Sequence, residues 1–175
     1  MRKIFLIGVL FTIIIISFIG ISLGQANTRN VDIIITPQVD IFVGKRLYIP
    51  TEYNNGYTTI IHPFIYEDRV YLSIENISHM IRLGLDYDYE CKEILYSTKS
   101  CIVEPIEIEK DKDPYMDLNM KVYLDEKQVN LCESEKYYGP IVYNGKIYIP
   151  IRYISEKAGK RVFWYGEKNR IIIDK

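Results

Sequence analysis

Apolar and polar positions in the second half of the chain repeat a pattern found in the first half. Residues 63–78 match residues 140–155 at a constant offset of 77 positions, and the match continues without a gap to Ile94 and Ile171. Each copy reads as two short apolar strands around a polar turn, followed by an amphipathic helix and two more strands. A period this long indicates a duplicated supersecondary unit.

The turn of the second copy has the clearest local signal. Asn144-Gly145 separates the apolar runs 141–143 and 146–149, and both residues tolerate the positive φ of a type I′ turn. In the first copy Glu67-Asp68 holds the same place, although these residues suit such a turn less well. The pattern therefore predicts one β-hairpin in each copy.

An amphipathic helix is predicted after each hairpin. Pro150 suits the first turn of a helix, where its missing N–H costs nothing, and Gly159 can end that helix in the left-handed conformation. The first helix is expected to end near Gly84. Apolar residues at spacings of three and four form a core-facing stripe on each helix. They are Ile151, Ile154 and Ala158 in the second copy and Ile74, Ile77 and Ile81 in the first.

Other apolar runs predict the remaining strands. These runs are residues 39–43, 45–49, 85–89, 94–96, 121–124, 128–131, 162–165 and 171–173. Two units of this size cannot each bury a sheet face alone, so we expect them to share one core. The predicted fold class is α+β, a mainly antiparallel sheet built from two β-hairpin–helix–β-hairpin repeats.

The N-terminus carries a localisation signal. Arg2 and Lys3 precede an uncharged run over residues 4–23, which Gly24-Gln25-Ala26 follows. This order is typical of a secretory signal peptide, here residues 1–26 with cleavage after Ala26. The run also approaches the roughly 20 residues that span a bilayer, so an uncleaved anchor is the alternative. Either way the folded part is expected outside the membrane, secreted or anchored through residues 4–23.

The predicted exported region, residues 31–175, has the length of one domain. Repeat 1 covers about residues 39–98 and repeat 2 about residues 120–175, with an acidic linker at about 104–119 between them. Within the linker, Ile106 and Ile108 alternate with polar residues like an edge strand.

Repeat 2 carries a dense motif. It comprises Asn144, Gly145, Pro150, Arg152, Ile154, Gly159, Val162 and Trp164, and a charged turn and an apolar strand follow. This motif resembles the copper amine oxidase N-terminal-like, or stalk, domain family. In repeat 1 the Gly, Pro, Arg and Trp positions hold Asp68, Ser73, Glu75 and Tyr87. The resemblance implies a non-catalytic appendage that recurs on bacterial surface proteins. We expect Arg152 to pair locally and Trp164 to fill the core beneath its helix.

Copper amine oxidase activity is not expected. Those enzymes hold copper with three histidines and make a quinone from a tyrosine in an Asn-Tyr-Asp/Glu string, whereas this chain has only His62 and His79 and lacks the string. Imidazole is the expected Cu(II) ligand. We expect His62 at a strand edge and His79 exposed on its helix, and we predict no metal or cofactor site. A net charge of −1 also offers no basic surface to nucleic acid.

Three cysteines, Cys91, Cys101 and Cys132, leave at least one thiol unpaired within the chain. Cys91 and Cys101 flank a predicted hairpin of residues 94–98 and 102–103, where a disulfide is geometrically possible. The other interpretation is three ordinary, partly buried thiols. None lies in a strand-to-helix elbow, so no catalytic thiol is predicted.

Three acids, Asp86, Asp88 and Glu90, occupy alternate positions of a predicted strand and therefore share one face. Such a face is open to glycosidase chemistry or to a hard cation such as calcium. The simpler interpretation is that the acids face water. Leu85, Tyr87 and Tyr89 would then face the core.

Tyrosine is the one compositional excess, at 16 residues. Most tyrosines lie in or beside predicted strands, where aromatic residues suit a half-buried surface. The exceptions are Tyr53, Tyr57, Tyr137 and Tyr138, which lie in polar or Asn/Gly-containing connections before each repeat. A loop tyrosine offers a flat amphipathic surface to sugar or peptide, so these four are the candidate ligand-binding residues.

The sequence favours a non-enzymatic exported domain that acts as a binding, adhesion or scaffolding module of a bacterial cell envelope. Its expected partners are cell-wall polysaccharide or an envelope protein. One alternative is a carboxylate-based hydrolase, or a hydrolase accessory, that uses the three acids of residues 86–90. The other is a purely structural spacer.

Overall fold

A computed structural model describes residues 27–35, 39–54, 56–103, 106, 108–110 and 113–174. The predicted leader, residues 1–26, lies outside the described residues. The strands in chain order are β1 Thr28–Asn30, β2 Ile34–Ile35, β3 Asp40–Val43, β4 Arg46–Tyr48, β5 Thr51–Asn54, β6 Tyr57–Ile60, β7 Phe64–Tyr66, β8 Arg69–Ser73, β9 Gly84–Asp88, β10 Glu93–Ser97, β11 Tyr115–Asp117, β12 Lys121–Leu124, β13 Lys127–Gln128, β14 Cys132–Glu133, β15 Lys136–Tyr137, β16 Ile141–Tyr143, β17 Lys146–Pro150, β18 Arg161–Tyr165 and β19 Arg170–Asp174. The helices are α1 Ile74–Ile81 and α2 Ile151–Lys157, and a 3₁₀ turn covers Gly166–Lys168.

The strands form one central sheet and two smaller four-stranded sheets. The central sheet has seven strands in the order β1-β11-β16-β17-β8-β7-β2. Sheet 1 has the order β9-β10-β12-β13, and sheet 2 has the order β18-β19-β3-β4. Two more hairpins, β5–β6 and β14–β15, stand as separate pairs. Strand pairing is antiparallel except for β10 with β12 and β19 with β3 among the named strands, so the predicted α+β, mainly antiparallel class is confirmed.

Two hairpins, β7–β8 and β16–β17, meet at the middle of the central sheet. β8 pairs with β17 so that Leu72 lies opposite Ile149, and Tyr71 lies opposite Pro150. A helix follows each hairpin, and Ile77 of α1 and Ile154 of α2 are fully buried in one core cluster. The predicted apolar stripes therefore face a common interior.

The helix ends follow local chemistry. Ser73 precedes α1, and its hydroxyl accepts a hydrogen bond from the Asn76 amide at 3.3 Å, as a helix N-cap does. Pro150 precedes α2 and provides no side-chain cap. Gly159 takes the predicted left-handed conformation after α2, with φ +75°, whereas the corresponding residue of α1 is Arg82, with φ 61°.

Both hairpin turns have positive φ at their two central residues. Asn144 and Gly145 have φ 50° and 74°, as the sequence predicts. Glu67 and Asp68 adopt φ 46° and 59°, although the left-handed region costs an L-residue roughly 1–2 kcal/mol. The cross-strand pairing of β7 with β8 therefore overrides the local preference of these two residues.

The predicted hairpin between residues 94–98 and 102–103 is wrong. β10 lies between β9 and β12, so both of its edges are already paired. The chain instead crosses to the other edge of β9, where Val103 pairs in parallel with Leu85. No disulfide forms between Cys91 and Cys101, and all three cysteines are exposed free thiols rather than partly buried ones.

Two other strand predictions also need correction. Ile106 and Ile108 do not belong to a strand, and they pack partly buried against the main core. Tyr89 does not face the core, because it lies in the turn after β9 and is exposed. That turn forms because the Asp88 carboxylate accepts hydrogen bonds from the amides of Glu90 and Cys91, each at 2.9 Å.

Candidate functional site

The outer face of sheet 2 carries a row of apolar side chains, exposed at its two ends and half-buried between them, which we call the outer row. Phe163 lies opposite Ile172, Ile172 lies beside Phe42, and Phe42 lies opposite Leu47, so the row crosses all four strands. Alternation along each strand turns these residues away from the core, whereas their neighbours Ile41, Ile171 and Ile173 are buried. Leu47 is 53% exposed and Phe163 is 42% exposed. At the usual strand spacing the row is about 14 Å long.

Ion pairs flank the outer row on both sides. Arg161 lies 3.4 Å from Asp174, and Arg170 lies 3.4 Å from Asp40. Each guanidinium also lies over a ring of the row: Arg161 is 5.8 Å from the centre of Phe163, and Arg170 is 4.7 Å from that of Phe42. An apolar centre with a charged rim is the usual composition of a protein–protein contact surface.

Sheet 1 has a more polar row at the corresponding strand positions, although it includes Leu95. Asp86 lies opposite Leu95, Leu95 lies beside Tyr123, and Tyr123 lies opposite Gln128. Asp86 and Gln128 are exposed, and the Tyr123 hydroxyl donates to Glu93 at 3.2 Å. This outer face suits water, so the apolar row of sheet 2 is not a consequence of the architecture alone.

A cavity of about 380 Å³ lies on the other side of β18. Its lining residues are Ile65, Asp68, Arg69, Val70, Pro150, Ile151, Arg152, Val162, Trp164 and Ile171. The prediction that Trp164 fills the core beneath α2 is wrong: its side chain is 40% exposed in the cavity wall. Arg152 pairs locally, as predicted, with Glu156 at 3.7 Å.

Tyr53 and Tyr57 lie on the β5–β6 hairpin rather than in a loop, and they are 76% and 77% exposed. Tyr53 lies opposite Thr58, whereas Tyr57 lies opposite Asn54. Because directly opposed residues share a face and adjacent pairs alternate, the two tyrosines project from opposite faces of the hairpin. They therefore cannot form one flat stacking surface.

Asn76 anchors the base of this hairpin to α1. Its side chain is buried, accepts from the Thr51 amide at 3.0 Å and donates to the Thr51 carbonyl at 3.3 Å. The Tyr48 hydroxyl also donates to the Asn76 side chain at 3.0 Å. This internal amide thus ties the base of the hairpin to α1, and an ion pair of Glu52 with Lys146 at 2.7 Å also ties β5 to β17.

Tyr137 and Tyr138 are less accessible than the sequence suggests. Tyr137 belongs to β15 and is half-buried, and Tyr138 is only 6% exposed. The Arg69 guanidinium lies 5.0 Å from the centre of the Tyr138 ring and forms an ion pair with Glu133. That pair holds the pKa of Glu133 below its usual value. Tyr138 therefore lacks the access that stacking on a ligand requires.

The three acids of the predicted strand do not converge on a cleft. Asp86 and Asp88 belong to β9, and Glu90 lies in the following turn. A neighbouring cavity of about 310 Å³ includes Asp86 but neither Asp88 nor Glu90 in its lining. The Asp88 carboxylate raises the pKa of the Cys91 thiol, which opposes the thiolate that a nucleophile needs.

The histidines do not fit a copper site. His62 precedes β7 and is exposed, and His79 is exposed on α1 as predicted. Within the described part of the chain, no three His, Cys, Asp or Glu residues cluster as metal ligands. Among the same residues, no helix has the length and apolarity needed to cross a membrane.

Sequence reasoning missed the outer row, although a signal was present. Residues 162–165 and 171–173 are unbroken apolar runs, which mark strands that are apolar on both faces. The second face needs a covering layer, and none of the described elements supplies one for sheet 2.

Comparison with known proteins gives a family match. The family model described as copper amine oxidase N-terminal domain matches residues 52–173, from β5 to β19. No curated protein matches the chain, and no solved structure matches it either.

Proposed function

This chain belongs to the copper amine oxidase N-terminal domain family, and from that premise we propose that it is an exported, non-enzymatic binding domain of a bacterial cell envelope. The family assignment made from the motif is confirmed. The matched family is the non-catalytic, stalk-like domain and not the oxidase domain. A role in binding, adhesion or scaffolding at the envelope goes beyond the family assignment and is the part that we propose.

The outer row of sheet 2 is the observation that carries the proposal. Two of its four members, Leu47 and Ile172, are aliphatic and offer no ring face on which a sugar stacks. The row and its rim of ion pairs therefore suit the apolar surface of an envelope protein better than polysaccharide. Tyr53 and Tyr57, on opposite faces of their hairpin, remain the predicted sites for a sugar.

Export and internal duplication belong to the same proposal. The basic and then apolar segment of residues 2–23 supports export. The common order hairpin–helix–hairpin in residues 64–97 and 141–174 supports two copies of one unit. Leu72 and Ile149 are paired on the adjacent strands β8 and β17, which supports a core shared by the two copies.

The alternatives have less support. A hydrolase would need Asp86, Asp88 and Glu90 around one cleft, and their positions do not provide that arrangement. A pure spacer would have no use for an apolar outer row on only one of two similar sheets, because exposed apolar area favours association.

A binding experiment with the full-length protein tests the proposal. Isolated cell envelopes are compared with walls stripped of protein by protease. We expect retention on intact envelopes and at least about ten-fold weaker retention for a Leu47→Lys, Phe163→Lys variant, because charges at both ends of an apolar contact surface are costly to bury. The matched control is Asp86→Lys, Gln128→Lys on sheet 1, which we expect to bind normally.

Three results separate the possibilities. Equal retention of both variants would remove the outer row from the proposal. Undiminished binding to protein-free walls would replace the protein partner by polysaccharide. Protection of the folded part from external protease in intact cells would contradict export.

A further inference from the structure

The groove beside Trp164 has a counterpart in the first half of the molecule. In the second half the groove lies between the β7–β8 turn at Asp68 and the edge strand β18 at Val162. At the same offset of 77 positions, the counterpart lies between the β16–β17 turn at Gly145 and strand β9 at Leu85.

The chain itself fills the counterpart groove. Val103 pairs in parallel with Leu85, and the Leu85 amide donates to the carbonyl of Ile102 at 2.8 Å. Ile106 and Ile108 then pack against the core. The segment passes Gly145 so closely that a Cβ there would lie 3.2 Å from the Ile108 carbonyl oxygen. Described residues of one segment thus lie at both walls of this groove, Val103 beside Leu85 and Ile108 beside Gly145.

The groove beside Trp164 has walls that correspond to those of the filled groove. Among the described residues, however, no segment lies along it. β18 has β19 as its neighbour and presents its other edge uncovered, as far as the described strands extend. Trp164 is 40% exposed, whereas Tyr87 at the corresponding position is 7% exposed. An uncovered strand edge readily pairs with another chain.

We propose that the edge of β18 and the adjoining cavity bind an extended segment of a partner protein, added as a parallel strand. Strand addition of this kind draws affinity from the backbone and specificity from alternate side chains. The apolar side chains of the segment take the places that Val103, Ile106 and Ile108 take in the filled groove. The cavity lining contains Arg69 and Arg152 beside Asp68, and the two guanidiniums also form ion pairs with Glu133 and Glu156. The segment that we propose carries acidic residues between its apolar ones, and these acids share the guanidiniums with their present partners.

This proposal goes beyond the outer row, because Val162 and Phe163 project from opposite faces of β18. Binding at the cavity and binding at the outer face therefore respond to different substitutions. Failure of one leaves the other testable.

A synthetic peptide with the sequence of residues 100–110, with Ser in place of Cys101, is the probe. That sequence alternates isoleucine and glutamate. Trp164 is the only tryptophan of the chain and lines the cavity, so its fluorescence reports on filling. We expect a saturable blue shift on titration of the full-length protein. A peptide with Asp at the positions of Ile106 and Ile108 is expected to bind at least about ten-fold more weakly, since it cannot bury those side chains.

Two variants test the two walls of the groove. Val162→Pro removes the edge amide that corresponds to that of Leu85, and at least about ten-fold weaker binding is expected. Arg152→Glu changes an exposed side chain that does not threaten folding, and about five-fold weaker binding is expected from the reversed charge. Lys168→Ala, at an exposed position in the 3₁₀ turn after β18, is the control and is expected to bind normally. Circular dichroism verifies that each variant folds.

Absence of a saturable shift with the probe peptide would overturn the proposal. Equal binding by the wild type and both groove variants would overturn it too. Concentration-dependent self-association that Val162→Pro abolishes, without peptide binding, would replace the partner segment by a second copy of the chain.

Discussion

Sheet 1 and sheet 2 share one architecture and differ in what their outer surfaces offer. In both, two strands that follow a helix pair with a separate hairpin, with one parallel contact in the middle. The inner positions are apolar in both sheets, since Ile94 and Val122 of sheet 1 are buried as Ile171 and Ile41 of sheet 2 are. The outer rows differ, and so do the two grooves.

The difference separates what folding requires from what it leaves open. Inner faces must be apolar because their burial drives folding, and the inner faces of both sheets are apolar. Outer faces carry no such requirement, so the more apolar outer row of sheet 2 is not explained by folding alone.

The largest effect is expected from the core that the two halves share. Ile77→Ala and Ile154→Ala each remove buried methyl groups from the same cluster, and each is expected to destabilise the protein by about 3 kcal/mol. Because the core is common, Ile77→Ala should shift the Trp164 fluorescence transition and the circular dichroism transition in urea equally. Separate transitions for the two probes would show that the halves fold independently.

The elements that a sequence predicts here are those with a strong local pattern. The two helices and the Asn144-Gly145 turn follow from spacing and turn chemistry, and the structure has them. The pairing of Val103 with Leu85 does not follow, because it depends on β12 occupying the second edge of β10, a pairing between distant parts of the chain. The exposure of Trp164 also depends on parts of the chain that are distant in sequence. Its position in the motif predicts that its side chain lies on the inner side of β18. Only the tertiary structure shows that no described residue covers it there.

The next effect concerns Asn76, which has no counterpart in the second half, where Tyr153 holds the corresponding position. Asn76→Ala leaves the backbone groups of Thr51 without their side-chain partners, and a loss of about 2 kcal/mol is expected. Tyr153→Phe removes only an exposed hydrogen bond to Glu133 and is expected to cost less than about 0.5 kcal/mol. Urea unfolding measures both. Equal losses for the two variants would refute the anchoring role of Asn76.

The two hairpin turns are expected to respond in opposite directions. Asp68→Gly relieves a positive φ beside the open groove and should stabilise the protein by about 1 kcal/mol. Gly145→Ala adds a Cβ 2.9 Å from Lys110 Cγ beside the filled groove and should destabilise it by about 1–2 kcal/mol, from φ strain and crowding together. Thermal unfolding of both variants measures the changes. A neutral Gly145→Ala would mean that the segment over that turn is loosely held.

The smallest effect is a pH dependence that arises at one turn of sheet 1. The Asp125 carboxylate accepts hydrogen bonds from the hydroxyl and the amide of Thr98 at 2.6 and 2.9 Å, and these bonds hold the pKa of Asp125 below its usual value. Gly44 occupies the corresponding turn of sheet 2. Its amide donates to the carbonyl of Ile173, as the amide of Asp125 donates to the carbonyl of Tyr96. Both sheets therefore have this backbone hydrogen bond, but only sheet 1 has a carboxylate at this position. A folded-state pKa below the unfolded one gives stability that is present above about pH 4 and lost as the pH falls through the folded value. Asp125→Asn should therefore flatten the decline of the urea midpoint below about pH 4 and leave its slope near pH 7 unchanged. If the variant and the wild type lose stability in parallel on acidification, the Thr98 contacts do not hold the carboxylate in its charged form, and this difference between the two sheets disappears.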